Sequence, residues 1–187
     1  MERRLDAALR AVVAILAERG YRYAIIGGVA LSQWGAVRAT YDADIKVLVP
    51  NHDYAAARAE LRAAFPQPAR PQAPPNPLVV DVKVGEVVVD LLLAIPGYEE
   101  LIIERAVARD LNGWSAWICS VEDLIIQKVV AGRDKDWMDV EALLTAQRGH
   151  LDEAYIQEWL AQFAEALDSP EMLTRYQRAL ARGKPPR

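Results

Sequence analysis

Residues 25–47, IIGGVALSQWGAVRATYDADIKV, decide the fold of this chain. An apolar run ends in two glycines, a short segment follows, and Arg-x-Thr-x-Asp-x-Asp leads into a second apolar run. Because glycine has no Cβ, the Gly-Gly pair permits a tight turn between a strand and a helix. The stretch therefore predicts a strand over residues 21–26, a short helix over 29–34 and a second strand over 43–49.

The chemistry in this stretch is concentrated in two aspartates and two glycines. Side chains alternate across a strand, so Asp42 and Asp44 project from the same face. Two carboxylates at such a short distance repel each other unless a cation neutralises them. Mg²⁺ accepts such hard oxygen ligands together with substrate phosphates. A helix that begins at about Val29 would point unpaired N–H groups at an anion beside Gly27 and Gly28.

Each of these features also has a simpler interpretation. Two glycines alone are typical of an ordinary tight turn, and an Asp-x-Asp at the start of a strand is often a solvated edge. Their occurrence in this order, with Arg38 and Thr40 between them, favours a functional site.

Composition narrows the class of protein. The chain has 187 residues, of which 52% are hydrophobic, enough for the packed core of one domain with a helical extension. We predict a main domain over residues 1–150 and a C-terminal helical part over 151–187. The net charge of −4 gives no general attraction for nucleic acid, and the single Cys119 excludes an internal disulfide and fits a reducing cytoplasm. No apolar run approaches the roughly 20 residues that span a bilayer.

Hydrophobic periodicity and turn residues predict the remaining elements. Apolar residues at three- and four-residue spacing predict a first helix over residues 3–18. Two β-rich runs, 78–84 and 87–94, meet at Gly85-Glu86, which is a hairpin signal. Further predictions are a fifth strand over 114–119, a helix or partial helix over 98–108, and helices over 52–64, 121–131, 152–167 and 170–182. Six prolines in residues 66–77 exclude regular structure and predict a surface loop, either a plain connector or a segment near the substrate.

Two charged residues stand within apolar runs. Asp90 is the one charge in VVVDLLLAI, where a carboxylate is unfavourable unless it is paired or metal-bound. Asp81, near the start of the preceding strand, is the weaker candidate for the same role. Lys128 has apolar neighbours on its helix, so we expect its stem to pack and its ammonium to stay mostly exposed. A structural Asp90 and a surface Lys128 are the alternatives.

Two blocks of sequence resemble a known catalytic core. Gly27, Gly28, Asp42 and Asp44 match the active-site core of the DNA polymerase beta-like nucleotidyltransferase superfamily. Residues 120–144, SVEDLIIQKVVAGRDKDWMDVEALL, resemble the helical segment that follows the sheet in its stand-alone bacterial branch, which includes AbiEii-type and MenT-type toxins. The chain lacks the large C-terminal helical domain of the longer AbiEii-type toxins.

The resemblance implies a fold, a reaction and a set of site residues. The fold is α/β, with a mixed, mostly antiparallel sheet of about five strands, flanking helices and a helical C-terminal part. The reaction transfers a nucleoside monophosphate from NTP to an acceptor and uses Mg²⁺, as two ions. The implied catalytic and metal-binding residues are Asp42, Asp44 and Asp90. The implied nucleotide-binding residues are Gly27, Gly28, Arg38, Thr40, Lys128 and Asp139, with Lys128 on the triphosphate and Asp139 as its partner.

Three functions remain as hypotheses. The first is a transferase that acts on tRNA or on a protein, as a toxin with an antitoxin partner. Cationic residues near the C-terminus could contact RNA phosphates or form a solvated tail: Arg175, Arg178, Arg182, Lys184 and Arg187. The second is a small-molecule nucleotidyltransferase of the antibiotic-modifying type. The third is a non-enzymatic nucleotide-binding protein, against which the intact carboxylates argue. We expect a cytoplasmic location and no membrane partner.

Overall fold

The structure is a computed structural model that describes residues 2–37, 39–70 and 76–182. The chain divides into two compact units. Unit 1 comprises Met1–Ala30 and Ala39–Cys119, and unit 2 comprises Leu31–Arg38 and Ser120–Arg187. The predictions that concern Arg38, residues 71–75, Lys184 and Arg187 lie outside the described residues.

Unit 1 is built on a mixed sheet of six strands, one more than the sequence predicts. In chain order the strands are β1 Tyr23–Ile26, β2 Asp42–Val47, β3 Val79–Val84, β4 Val87–Leu93, β5 Val107–Asp110 and β6 Ser115–Ile118. Their order across the sheet is β3-β4-β2-β1-β6-β5. The pairs β1–β2, β3–β4 and β5–β6 are antiparallel, whereas β2–β4 and β1–β6 are parallel.

The helices complete an α/β fold, as the sequence predicts. In chain order they are α1 Arg3–Glu18, α2 Gly27–Gln33, α3 Tyr54–Ala64, α4 Tyr98–Glu104, α5 Val121–Ala131, α6 Asp134–Ala146, α7 Glu153–Ala166 and α8 Glu171–Arg182. The predicted bounds of α1 and α5 are confirmed. The apolar stripe of α1 is buried: Leu5, Leu9, Val12, Val13 and Leu16. In the residues described, none of these helices combines the length and apolarity needed to cross a bilayer.

Several predicted elements differ from the observed ones by a few residues at their ends, and two differences have a clear cause. The helix or partial helix predicted over 98–108 ends at Glu104, because residues 107–110 form β5 and pair with β6. Three of the four β5 side chains are exposed, so the strand carries no apolar alternation that a sequence could reveal. The helix predicted from Val29 begins at Gly27, which makes the turn by itself with φ of +65°.

Unit 2 is helical in the residues described, with α5 to α8 and the end of α2. Ser120 caps α5, since its Oγ accepts the Asp123 N–H at 3.0 Å. Tyr155 on α7 donates to the Asp123 carboxylate at 2.8 Å and joins the two helices. Gly132 ends α5 in the left-handed conformation, with φ of +66°.

Candidate active site

Strand β2 carries the first two residues of the site, and it has one buried face and one open face. Ala43, Ile45 and Val47 are buried on one face. Asp42 and Asp44 point to the other face, where Asp42 is exposed and Asp44 is half-buried. The alternation that the sequence predicts therefore places both carboxylates on the open face.

The neighbouring strands extend this face. In the parallel pair β2–β4, Asp44 lies opposite Asp90, and in the antiparallel pair β3–β4, Asp90 lies opposite Asp81. Directly paired residues on adjacent strands share a face and lie about 5 Å apart. Asp44, Asp90 and Asp81 thus form one row across three strands, which we call the carboxylate row. Asp42 stands beside this row on β2.

The two glycines fit closely around this part of β2. A Cβ on Gly27 would overlap the carboxylate of Asp44, and a Cβ on Gly28 would lie 2.6 Å from Thr40 Oγ1. The Thr40 hydroxyl in turn donates to Asp42, with its oxygen 3.1 Å from Oδ1 and 3.2 Å from the backbone carbonyl. The absence of a side chain at each glycine therefore lets Asp44 and Thr40 approach the start of α2.

An arginine that the sequence did not reveal as a site residue contacts the carboxylate row. Arg70 donates to both oxygens of Asp90, with Nη1 at 2.6 Å from Oδ1 and Nη2 at 3.1 Å from Oδ2. Its backbone N–H donates to Asp81 Oδ2 at 2.6 Å. Hydrogen bonds to Asp90 raise the pKa of the Arg70 guanidinium, and the charges of Asp90, Asp81 and Asp42 raise it further, against the opposing effect of burial.

A second ion pair, which the sequence did not predict, covers the far end of β2. Lys46 lies on the same strand face as the two aspartates but is only 5% exposed, and its ammonium pairs with Glu99 of α4. The other Glu99 oxygen accepts the N–H of Ile95 at 2.9 Å. A lysine in phase with Asp42 and Asp44 is the signal that could have predicted this pair. The β2 face is thus closed at Lys46 and open at Asp42.

Unit 2 holds a separate group of charges, formed by Lys128, Arg133, Asp136 and Asp139, which we call the buried ion cluster. Lys128 Nζ lies 2.8 Å from Asp139 Oδ2 and 3.1 Å from Asp136 Oδ1. Arg133 also donates to Asp136. Asp136 is fully buried and Asp139 is 4% exposed. Burial opposes ionisation of Asp136, but hydrogen bonds from Arg133 and Lys128 leave its pKa below the ordinary value.

The cluster corrects one expectation about Lys128. Its ammonium was expected to be mostly exposed, yet the residue is only 7% exposed, because both α6 carboxylates hold the Nζ inside unit 2. The pairing with Asp139 that the resemblance implies is present within this unit. Contact of either residue with a nucleotide stays a prediction, and Arg38 lies outside the described residues.

The carboxylates fit Mg²⁺ in one mode of binding. Across residues 2–37, 39–70 and 76–182, no group of three or more His, Cys, Asp or Glu side chains is placed to hold a metal ion. Mg²⁺ is often held instead by one or two carboxylates, with waters and substrate phosphates as its other ligands. Asp42 and Asp44 offer two carboxylates on one strand face, whereas both Asp90 oxygens are engaged by Arg70.

Solved structures with this fold include nucleotidyltransferases. The chain is 17% identical to an antigenic nucleotidyltransferase-like protein from Paracoccidioides brasiliensis, with a TM-score of 0.54 over 92% of this chain and 93% of that chain. It is also 17% identical to the antibiotic-resistance factor ANT(2'')-Ia in solution, with a TM-score of 0.55 over 87% and 92% of the two chains. For ANT(2")-Ia in complex with adenylyl-2"-tobramycin, at 17% identity, the TM-score is 0.57 over 86% and 97%. These similarities establish the fold.

Family membership rests on the sequence itself. No curated protein matches the chain. A family model described as "Nucleotidyltransferase of unknown function (DUF6036)" matches residues 3–179, which is nearly the whole chain. The chain therefore belongs to this family of nucleotidyltransferase enzymes.

Proposed function

We propose that the protein transfers a nucleoside monophosphate from NTP to an acceptor hydroxyl, with Mg²⁺ as cofactor and pyrophosphate as the second product. One observation carries the proposal: the register sets Asp90 opposite Asp44, with Asp42 on the same face of β2. In a chain of a nucleotidyltransferase family, three carboxylates at this spacing supply the hard oxygen ligands that the reaction needs.

Each carboxylate has a distinct role in this proposal. Asp42 and Asp44 would hold the first ion, and Asp90 would contribute to the second. Bound Mg²⁺ would neutralise phosphate charge and hold the attacking and leaving oxygens in line. Asp90 can also accept the proton of the acceptor hydroxyl once its oxygens are released from Arg70. The acceleration then comes mainly from positioning and charge neutralisation.

The proposed nucleotide contacts follow the resemblance. Gly27, Gly28, Arg38 and Thr40 are the contacts in the first sequence block. Lys128 is proposed as the triphosphate lysine and Asp139 as the residue that orients it, which their 2.8 Å ion pair supports.

The first acceptor class is tRNA or a protein, with the enzyme acting as an AbiEii-type or MenT-type toxin in the cytoplasm and an antitoxin as partner. Support comes from the cationic face of α8. The Arg175 guanidinium stacks over Trp137, with its Cζ 4.3 Å from the ring centroid. Arg182 Nη1 lies 3.6 Å from Glu141 Oε1. The Arg182 side chain is nevertheless 78% exposed and Arg178 is exposed as well, so both can reach a phosphate.

The second acceptor class is a small molecule with a hydroxyl group. The observation that favours it is the similarity to ANT(2")-Ia, an antibiotic-resistance factor that has been seen with adenylyl-2"-tobramycin. The similarity extends over 86% of this chain and 97% of that chain, so it includes most of both folds.

The test offers each labelled NTP with Mg²⁺ to total RNA, to a cell extract rich in protein and to a panel of aminoglycosides. Label on RNA or protein supports the first acceptor class, and label on a small molecule supports the second. Asp44→Asn is expected to abolish transfer. Asp134→Asn, an exposed aspartate on α6, is the matched control and is expected to retain it. No transfer to any acceptor would contradict the proposed function.

A further inference from the structure

Arg70 occupies the position in unit 1 where a cation would be expected. It binds Asp90 through two parallel N–H···O contacts, the geometry in which an arginine pairs most strongly with a carboxylate. The negative charges of Asp81 and Asp42 also raise the pKa of the Arg70 guanidinium. One side chain therefore neutralises the middle of the carboxylate row.

Backbone contacts hold the Arg70 segment against the sheet. The Arg70 N–H donates to Asp81, and the Lys83 N–H of β3 donates to the carbonyl of Gln67 at 3.2 Å. The main chain of residues 67–70 is thus held against β3 at two points. This segment belongs to the proline-rich loop for which the sequence left two roles open, connector or segment near the substrate.

The contact of Arg70 with Asp90 opposes metal binding at Asp90. Mg²⁺ requires ligand distances of about 2.1 Å, and the guanidinium already donates to both oxygens of Asp90, so an ion has to compete with these contacts. An ion at either oxygen would also stand within a few ångströms of the positive charge of Arg70, which is strongly repulsive. Asp42 and Asp44 lie on β2, beside the pair that Arg70 and Asp90 form.

We propose that Arg70 is a positioning residue that holds Asp90 and competes with a second divalent ion for that carboxylate. This inference rests on the proposed function. It predicts an order: one ion binds at Asp42 and Asp44, and the second binds more weakly because Arg70 has to be displaced. A released guanidinium suits phosphate oxygens as well as it suits a carboxylate, so the arriving nucleotide offers Arg70 a new partner.

The test is a Mn²⁺ titration of the full chain, followed by electron paramagnetic resonance, with a non-hydrolysable NTP analogue present. Arg70→Gln is expected to tighten the weaker class of sites roughly tenfold, a factor that corresponds to about 1.4 kcal/mol. The Arg70 side chain is 46% exposed, which keeps the effect near the lower end for a charged hydrogen bond. The tighter class should change less than twofold.

Three further variants make the result specific. Arg62→Gln removes an arginine of similar exposure, 44%, that lies 3.6 Å from Asp81, and it should leave the weaker class unchanged. Arg70→Lys keeps the charge but not the two-pronged geometry and should fall between wild type and Arg70→Gln. Asp90→Asn should lose the weaker class and keep the tighter one.

The outcomes separate the inference from the function on which it rests. Equal Mn²⁺ affinity in wild type and Arg70→Gln, with binding that Asp44→Asn abolishes, would overturn the role of Arg70 and leave the proposed function standing. An equal shift in Arg62→Gln would show that the effect comes from the overall positive charge near the site. That result would also overturn the role of Arg70. No Mn²⁺ binding in any variant would overturn both.

Discussion

The carboxylate row of unit 1 and the buried ion cluster of unit 2 contain the same kinds of side chain in opposite environments. In the cluster, Asp136 is fully buried, and the Lys128 side chain that holds it is 8% exposed. In the row, Asp44 and Asp90 are half-buried, and the Arg70 side chain that holds Asp90 is 46% exposed. Both groups pair acids with bases, but the carboxylates of the cluster are buried and only its Arg133 side chain, 60% exposed, reaches water, whereas the carboxylates of the row are themselves partly exposed.

The difference separates a fixed group of charges from an exchangeable one. A buried carboxylate that loses its partner remains unsolvated, so Asp136 and Asp139 depend on the cations that hold them. A half-exposed carboxylate that loses Arg70 can be rehydrated or can bind another cation at little expense. The cluster is therefore expected to govern the stability of unit 2, and the row is expected to govern metal binding.

The largest effect is expected from Lys128→Met, which breaks the cluster and keeps most of the side-chain volume. It leaves Asp136 and Asp139 buried without the ammonium that both contact. Removal of one partner from a buried ion group costs about 3–5 kcal/mol, to be measured by urea unfolding. Lys135→Ala, at an exposed position on α6, is the matched control and should change stability by less than about 0.5 kcal/mol. Near-wild-type stability of Lys128→Met would show that the cluster is as exchangeable as the row.

A smaller effect is expected from Gly28→Ala, which disturbs the packing beside Asp42. The new Cβ would lie 2.6 Å from Thr40 Oγ1 and 2.9 Å from Thr40 Cβ, so Thr40 has to move. Overpacking of this kind costs about 1–3 kcal/mol in thermal or urea unfolding. A second change, Thr40→Gly, removes both clashing atoms, and the double variant should recover part of the loss in a double-mutant cycle. Strictly additive losses would contradict the close fit of Gly28 against Thr40.

A gradual loss of stability is expected as the pH is lowered. The pKa of Asp136 is lowered in the folded protein, so its charged form stabilises unit 2 at a pH above the ordinary carboxyl value of about 4. That contribution is lost as the pH falls through the lower, folded value. The difference in unfolding free energy between wild type and Asp136→Asn should therefore shrink from about pH 6 to about pH 3. A constant difference over this range would mean that Asp136 does not titrate differently in the folded state.

The sequence predicted the elements whose signals are local. The apolar stripe of α1, the Ser120 cap with Gly132 at the end of α5, and the Gly85 hairpin all depend on residues a few positions apart, and the structure agrees with each. It missed β5, whose mostly exposed side chains carry no periodicity and which exists because β6 lies beside it. Signals between residues close in sequence thus predict individual helices and hairpins. A strand such as β5, which depends on pairing with another strand, is not predicted in this way.

The same limit applies to the candidate site. Asp42 and Asp44 follow from alternation along one strand, and an apolar run marked Asp90 as a carboxylate that needs a partner. The identity of that partner could not be predicted, because Arg70 comes from a proline-rich loop with no regular pattern. The burial of Lys128 was also missed, because it depends on two carboxylates of the following helix.

The central claim, that the carboxylate row is an open site for a metal-bound nucleotide, is tested most directly by the melting temperature with and without Mg²⁺ and NTP. Ligand at about 100 times its Kd stabilises the folded state by about 2.7 kcal/mol, which raises the Tm of a chain of this size by about 5 °C or more. Wild type is expected to show this increase. Asp44→Asn relieves repulsion within the row, so its metal-free form should melt at the same temperature as wild type or higher, and it should show no increase with ligand. The account is contradicted if Asp44→Asn loses several kcal/mol without ligand, or if wild type shows no Mg²⁺-dependent increase with any NTP.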